Sequence, residues 1–289
     1  MVFVCFLLSV RQCLHQFQSM RSLRLESMGY SYQFTHAIVR QPAKSIIKGL
    51  RAVDIGSPDY AQMIFDHEDY KEALTFAGVE VISLAPLDKF PDGQFVEDTA
   101  LCLPKAAILM RPGAPSRLGE INEIAPKLRK LFKEVFEIEN PGHVEGGDIL
   151  VTGKEILVGR SARTNASGIS QLSEIVTPLG HVVREVFTPP EILHFKTECS
   201  LLGPNEILST ERLQSLGCFD GYQVINVADG EEAAANAIRV NDYVIMPAGF
   251  PKTKAILENL GYKVKAINNN ECAKLDGGVS CLSLRLNLM

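Results

Sequence analysis

Residues 95–139 read FVEDTALCLPKAAILMRPGAPSRLGEINEIAPKLRKLFKEVFEIE, and the order of patterns in this stretch decides the fold. Two apolar runs of strand length come first, at 95–103 and 106–111. A helical pattern over 122–132 follows, with Ile124, Leu128 and Leu131 on one stripe. Asn122 is placed to cap this helix, and Pro126 is tolerable only in its first turn. A short strand at 134–139 closes the unit. The order is strand, strand, helix, strand.

That order recurs along the chain. Strands at 148–152 and 155–159 precede a helix capped by Asn165 and carrying Ile169, Leu172, Ile175 and Val176, and 181–187 ends the unit. A third unit runs through 195–202, 206–209, a short helix near 211–216, and 222–227. A fourth runs through 233–240, 243–247, the helix 253–260, and 263–267. The fifth is divided between the termini: 278–286 supplies its first strand and 36–40 its second. Ser57 and Pro58 open its helix, with Tyr60, Ile64, His67 and Leu74 on one side and a stop at Gly78; 79–85 is its last strand. A period of roughly 40–50 residues signals a propeller or another closed array. The expected fold is therefore α/β: a five-bladed α/β propeller of ββαβ repeats with pseudo-fivefold symmetry. One blade is closed by both termini, which removes sheet edges. A doubly wound sheet would explain the strand–helix alternation but not the double strand before each helix.

Composition narrows the function. The chain has 289 residues, 46% of them apolar and 22% charged, which is a globular balance. With 29 basic against 34 acidic residues there is no broad basic face, so no nucleic-acid partner is expected. No apolar run reaches the ~18 residues of a membrane span. The cysteines, at 5, 13, 102, 199, 218, 272 and 281, form no C-x-x-C pair; reduced thiols and a cytoplasmic location are expected. Residues 1–27 hold Arg11, Arg21 and Arg24 but one acid, Glu26, unlike the acidic remainder. They read as an upstream start (with Met20 or Met28 as initiator), a targeting segment or a structural arm. Residues 34–289 are expected to form a single catalytic domain.

In a ring of repeats, equivalent positions collect around the axis. The polar residues where the first strands open are Asp98, Glu145 with Asp148, His194 and Cys281. A thiol, an imidazole and carboxylates converging there make a site. Gly277 and Gly278, just before Cys281, permit close backbone approach to a ligand. Taken alone, the residues favour His143 in His143-Val144-Glu145 as a base, because His194 between Leu193 and Phe195 looks like a core histidine. The cluster Asp92, Glu97 and Asp98 suits a guanidinium, whose planar N–H fork pairs with carboxylates.

Five words in order, FVEDTA at 95–100, RPGAPSR at 111–117, SARTNA at 161–166, LHFKT at 193–197 and DGGVSCLSLR at 276–285, closely resemble the dimethylarginine dimethylaminohydrolase family. That family belongs to the guanidino-modifying superfamily, whose members fold as five-bladed α/β propellers. The resemblance spans residues 34–287. It implies Cys281 as nucleophile, His194 rather than His143 as acid and base, and Glu145 as the acid that orients the imidazole. It also implies Glu97 and Asp98 near the substrate guanidinium, Asp92 near the α-amino group, and Arg117 and Arg163 on the α-carboxylate. Leu50 matches a lid residue, and Leu275 a residue whose carbonyl meets the substrate. The implied reaction converts Nω,Nω-dimethyl-L-arginine or Nω-methyl-L-arginine to L-citrulline through a covalent thiouronium on Cys281. No cofactor and no metal are required, although Cys281 and His194 could trap an inhibitory zinc. The expected partner is a small-molecule methylated arginine, with no nucleic acid and no membrane, in a monomer or homodimer. The alternatives are an arginine deiminase or amidinotransferase of the same superfamily, a non-catalytic propeller, and a metal hydrolase built on His143, Glu145, Asp148 and His194, which no H-E-x-x-H supports.

Overall fold

The computed structural model describes residues 29–288, so the readings of residues 1–27 lie outside the described residues. In chain order the elements are β1 (His36–Arg40), α1 (Tyr60–Phe76) and β2 (Glu80–Leu84); β3 (Ala100–Cys102), β4 (Ala106–Leu109), α2 (Glu120–Leu131) and β5 (Glu134–Glu137). Then come β6 (Ile149–Val151), β7 (Ile156–Arg160), α3 (Ala166–Val176) and β8 (Val183–Phe187). They are followed by β9 (Cys199–Gly203), β10 (Glu206–Ser209), α4 (Glu211–Gln214) and β11 (Gln223–Asn226). The last are β12 (Ile238–Val240), β13 (Tyr243–Pro247), α5 (Pro251–Asn259), β14 (Lys263–Ile267), α6 (Asn270–Ala273) and β15 (Leu284–Leu286). These strands make five three-stranded sheets: β15-β1-β2, β3-β4-β5, β6-β7-β8, β9-β10-β11 and β12-β13-β14. In each, the middle strand pairs antiparallel with the first and parallel with the third. The parallel step needs a crossover, and a helix supplies it every time.

The middle strands read as unbroken apolar runs because both their faces are buried. Alternate residues point to opposite sides. In β4, Ala107 and Leu109 join one hydrophobic cluster and Ile108 the next; in β13, Val244 and Met246 join one and Ile245 another. Each cluster lies between two consecutive sheets. The one holding Ala37, Val39, Ile238 and Ile245 joins the last sheet to the first. Among the described residues no helix is long and apolar enough to cross a membrane.

Three local expectations are corrected. The helix after β4 begins at Glu120 with Gly119 before it, so Asn122 does not cap it and Pro126 lies in its interior. Buried Ile124 and Leu128 compensate for the amide hydrogen bond that Pro126 removes. The cap of α1 is Asp59, whose side chain accepts from Gln62 N at 3.0 Å; Ser57 and Pro58 lie before it. Finally, the first strands are shorter than the apolar runs that contain them. Each is preceded by a 3-10 turn: Val96–Thr99, Gly146–Asp148, Phe195–Thr197, Glu232–Ala235 and Ser280–Leu282. The residues read as strand openings belong to these turns or to the residues flanking them.

Candidate active site

Cys281 sits in the turn Ser280–Leu282, buried, its Sγ 3.4 Å from Gly278 N. Ser280 N donates to Asn236 Oδ1 at 2.9 Å, and Asn236 Nδ2 donates to Lys196 O at 3.1 Å, which ties this turn to the one after His194. Gly277 lines the cavity described below, and both glycines also lie close to protein neighbours. A Cβ on Gly278 would lie 2.1 Å from Asn236 Cγ, and one on Gly277 would lie 2.4 Å from the Phe95 ring. Burial, then the carboxylates of Glu97 and Asp98, push the Cys281 thiol up to about 12.

His194 Nε2 meets Glu145 Oε2 at 2.6 Å. Glu145 is fully buried, and its Oε1 also accepts from Gly113 N at 2.9 Å and Ala114 N at 3.2 Å. Burial alone would lower the basicity of His194. The charge of Asp98 and the bond to Glu145 outweigh it and raise the imidazole to about 9. Asp98, against the effect of its burial, is held at about 2 by His194 and Arg117. Asp98 Oδ2 accepts from Arg117 Nη1 at 2.6 Å and Oδ1 from Gly147 N at 2.8 Å. The ligand atoms of Asp98, Glu145 and His194 lie within 4.8 Å of one another. Among the described residues, these three form the one group of three or more with metal-ligand spacing. Its atoms already serve one another, Arg117 and main-chain amides.

A cavity of roughly 160 Å³ is lined by Leu50, Asp92, Asp98, Arg117, Arg163, His194, Leu275 and Cys281, together with Arg51, Phe95 and Asp276. A larger opening of about 630 Å³ lies near Tyr30 and His181 and holds none of these groups. Chemistry, not size, selects the smaller one. Glu97 is adjacent in sequence to Asp98 but does not line this cavity. Its carboxylate is buried against Lys196 Nζ and Arg285 Nη2, each at 2.5 Å. Glu145 stands behind His194. His143 bonds Arg111 and Pro112 O and does not line the cavity. Cys272 is buried beside Met63 and Gln94.

The two arginines differ. Arg117 is buried, with Nε and Nη2 on Glu120, Nη2 also on Phe95 O, and Nη1 on Asp98. Of the five N–H groups of a guanidinium, one on Nη1 is left. Arg163 is more open and contacts Glu145 at 3.3 Å. Sequence reading did not single out Asn236, Glu120, Gly147 or Asp276. Of these, Asp276 carried a signal as the first residue of the word at 276–285, and Gly147 only as a neighbour of Glu145 and Asp148. Asp148, noted in the sequence, is fully buried and accepts from Thr164 Oγ1, Ser161 Oγ and Phe195 N, fixing the backbone beside His194.

No protein-family model matches the chain. It is 41% identical to N(G),N(G)-dimethylarginine dimethylaminohydrolase of Pseudomonas aeruginosa over 253 residues, covering 87% of this chain and 99% of the relative. It is 33% identical to the enzyme of the same name from Streptomyces coelicolor, covering 86% and 96%. A solved structure of the Pseudomonas aeruginosa protein, a cysteine-to-serine variant complexed with citrulline, superposes with a TM-score of 0.85 at 40% identity, covering 88% of this chain and all of that one.

Proposed function

The chain belongs to the dimethylarginine dimethylaminohydrolase family, and from that premise we propose how its residues hydrolyse dimethylarginine to citrulline and dimethylamine. One observation carries the reading: Cys281, His194 backed by Glu145, and Asp98 backed by Arg117 border one cavity. The substrate enters as a cation. Asp98 pairs with its guanidinium N–H groups, and the added positive charge favours loss of the Cys281 proton to solvent. The thiolate adds to the guanidinium carbon. The bond from that carbon to dimethylamine breaks as His194, the imidazolium, gives its proton to the leaving nitrogen. A thiouronium remains on Cys281. His194, now neutral, takes a proton from a water that attacks the same carbon. The carbon–sulfur bond then breaks, the departing thiolate takes up the proton of the new hydroxyl, and citrulline is left with the Cys281 thiol restored. Splitting the displacement into two steps is the contribution of covalent catalysis.

At the other end of the substrate, Asp92 takes the α-amino group, the carbonyl of Leu275 meets the substrate, and Arg163 with the remaining N–H of Arg117 takes the α-carboxylate. Glu97 acts through Lys196 and Arg285 as a charged floor beneath Cys281. Around this site the five units form a closed ring, an α/β propeller over residues 34–288. The hydrophobic clusters that join each sheet to the next, and the last to the first, support it.

The test is citrulline formation from dimethylarginine, monomethylarginine, arginine and agmatine under one condition. Methylated arginines should lead, and agmatine should be at least ~100-fold worse in kcat/KM for want of the carboxylate. Faster turnover of arginine or agmatine would make this chain a deiminase. Cys281→Ser should abolish turnover in a folded protein, and Cys272→Ser should leave it near normal. A Cys281→Ser protein within about tenfold of the original would remove the nucleophile from this scheme.

A further inference from the structure

Residues 49–59, between the 3-10 turn Lys44–Lys48 and α1, form no regular element, and Leu50, Arg51 and Ala52 of this segment border the catalytic cavity. Three of its backbone amides donate to carboxylates from elsewhere. Leu50 N donates to Asp92 Oδ1 at 2.9 Å, and Asp59 N to Glu271 Oε2 at 2.6 Å. Asp92 and Glu271 are buried, so both ends of the segment are fixed to the body of the protein. Between them, Ala52 N donates to Asp276 Oδ2 at 2.6 Å, and both of these residues are exposed. The segment is stiffened by Arg51, which bonds Asp54 and Gly56 O within it and Ile47 O in the preceding turn. The middle is thus a short, stapled flap whose attachment to the segment before Cys281 is the Ala52–Asp276 bond.

Asp276 is built for that attachment. Among the described residues two non-glycine residues have a left-handed backbone, Asn241 at φ 54° and Asp276 at φ 56°. Asn and Asp tolerate this conformation better than other side chains, but it still costs energy relative to glycine. Asn241 uses its side chain to bind Phe34 and Ala77 across the chain. Asp276 does the same with Ala52, and it stands between Leu275 and Gly277 on the segment that leads to Cys281.

We propose that Asp276 is a positioning residue that latches the flap over the bound amino acid, so that closure of the flap is tied to the segment carrying the nucleophile. The proposal rests on the functional reading above. An open flap leaves the bound substrate exposed to water and weakens every charged contact in the cavity. The latch needs an acceptor, not a charge.

The experiment compares Asp276→Gly with Asp276→Asn. Glycine relieves the backbone and deletes the acceptor; asparagine keeps the backbone preference and an acceptor oxygen. Asp276→Gly should raise KM for dimethylarginine about tenfold with kcat within about threefold, the loss of one hydrogen bond. It should also speed alkylation of Cys281 by iodoacetamide by a similar factor. Asp276→Asn should stay within about threefold of the original protein in both measurements. Equal loss in the two variants would mean that the charge of Asp276 acts on the substrate directly, and would overturn the latch. An unchanged Asp276→Gly protein would overturn it too. The alkylation rate reads the flap whether or not dimethylarginine is turned over, so failure of the latch and failure of the substrate assignment are told apart.

Discussion

In the proposed scheme His194 is an acid first and a base second, and a pKa near the working pH serves both roles. The structure biases it toward the acid. With Asp98 and Glu145 beside it, the imidazole is raised to about 9, so the imidazolium persists through neutral pH and is lost as pH climbs through that value. The thiol of Cys281, pushed up to about 12, rests as the neutral form over the same range. The proposed scheme therefore depends on the substrate to release the thiol proton and on His194 to retain its own. The kcat/KM profile should therefore fall on the alkaline side near pH 9. Glu145→Gln keeps the size and an acceptor but removes the charge, so the limb should move to lower pH by about one unit or more. A limb that does not move in the variant would show that Glu145 does not sustain the imidazolium.

At the scale of elements, the 3-10 turns Val96–Thr99, Gly146–Asp148, Phe195–Thr197 and Ser280–Leu282 hold or flank the residues of the proposed scheme. They let a main-chain amide, a carboxylate and an imidazole approach more closely than a pleated strand would. The turn Gly146–Asp148 is one such case. A Cβ on Gly147 would lie 2.8 Å from His194 Cγ and 3.0 Å from Asp98 Oδ1, inside van der Waals distance of both groups. Gly147→Ala should thus force His194 and Asp98 apart while leaving the sheets intact. The expected result is a fall in kcat of about 10²-fold, the usual effect of a misplaced catalytic group. Circular dichroism and the urea midpoint should show a folded protein. Full activity in this variant would mean that the spacing of the two side chains is not critical.

At the scale of the whole molecule, the sheets and helices bury groups with no catalytic role, and these set its tolerance of acid. His67, on α1, is buried, and neither ring nitrogen meets a hydrogen-bonding partner among the described residues. Burial, with Lys71 adding to it, lowers its pKa from 6.5 to about 4. The folded state therefore prefers the neutral ring. Its contribution is complete above pH 6.5 and is lost as pH falls through about 4, because the unfolded chain takes up a proton that the folded one refuses. At about 1.4 kcal/mol per pH unit, the loss is about 3 kcal/mol. Urea midpoints between pH 7 and pH 4 should fall less in His67→Leu than in the original protein. Equal slopes would assign the acid sensitivity to other groups.

Strand–strand–helix–strand order, the five unit openings and the set Cys281, His194, Glu145 and Asp98 were all legible in the sequence. Strands buried on both faces become continuous apolar runs, and motif words keep their spacing whatever the chain does in space. Local patterns do not state long-range partners. Glu97 and Asp98 are adjacent acids, yet one faces the cavity and the other is taken by Lys196 and Arg285. Arg117 and Arg163 looked equivalent, but the first is nearly saturated by Asp98, Glu120 and Phe95 O. Gly277 and Gly278 answer to Phe95 and Asn236, and Asp276 to an amide 224 residues away. Which side chains exist, and at what spacing, the amino-acid order determined by itself. Which of them meet was decided only when the units packed, because a buried charge or a close backbone contact depends on neighbours that are distant in the chain.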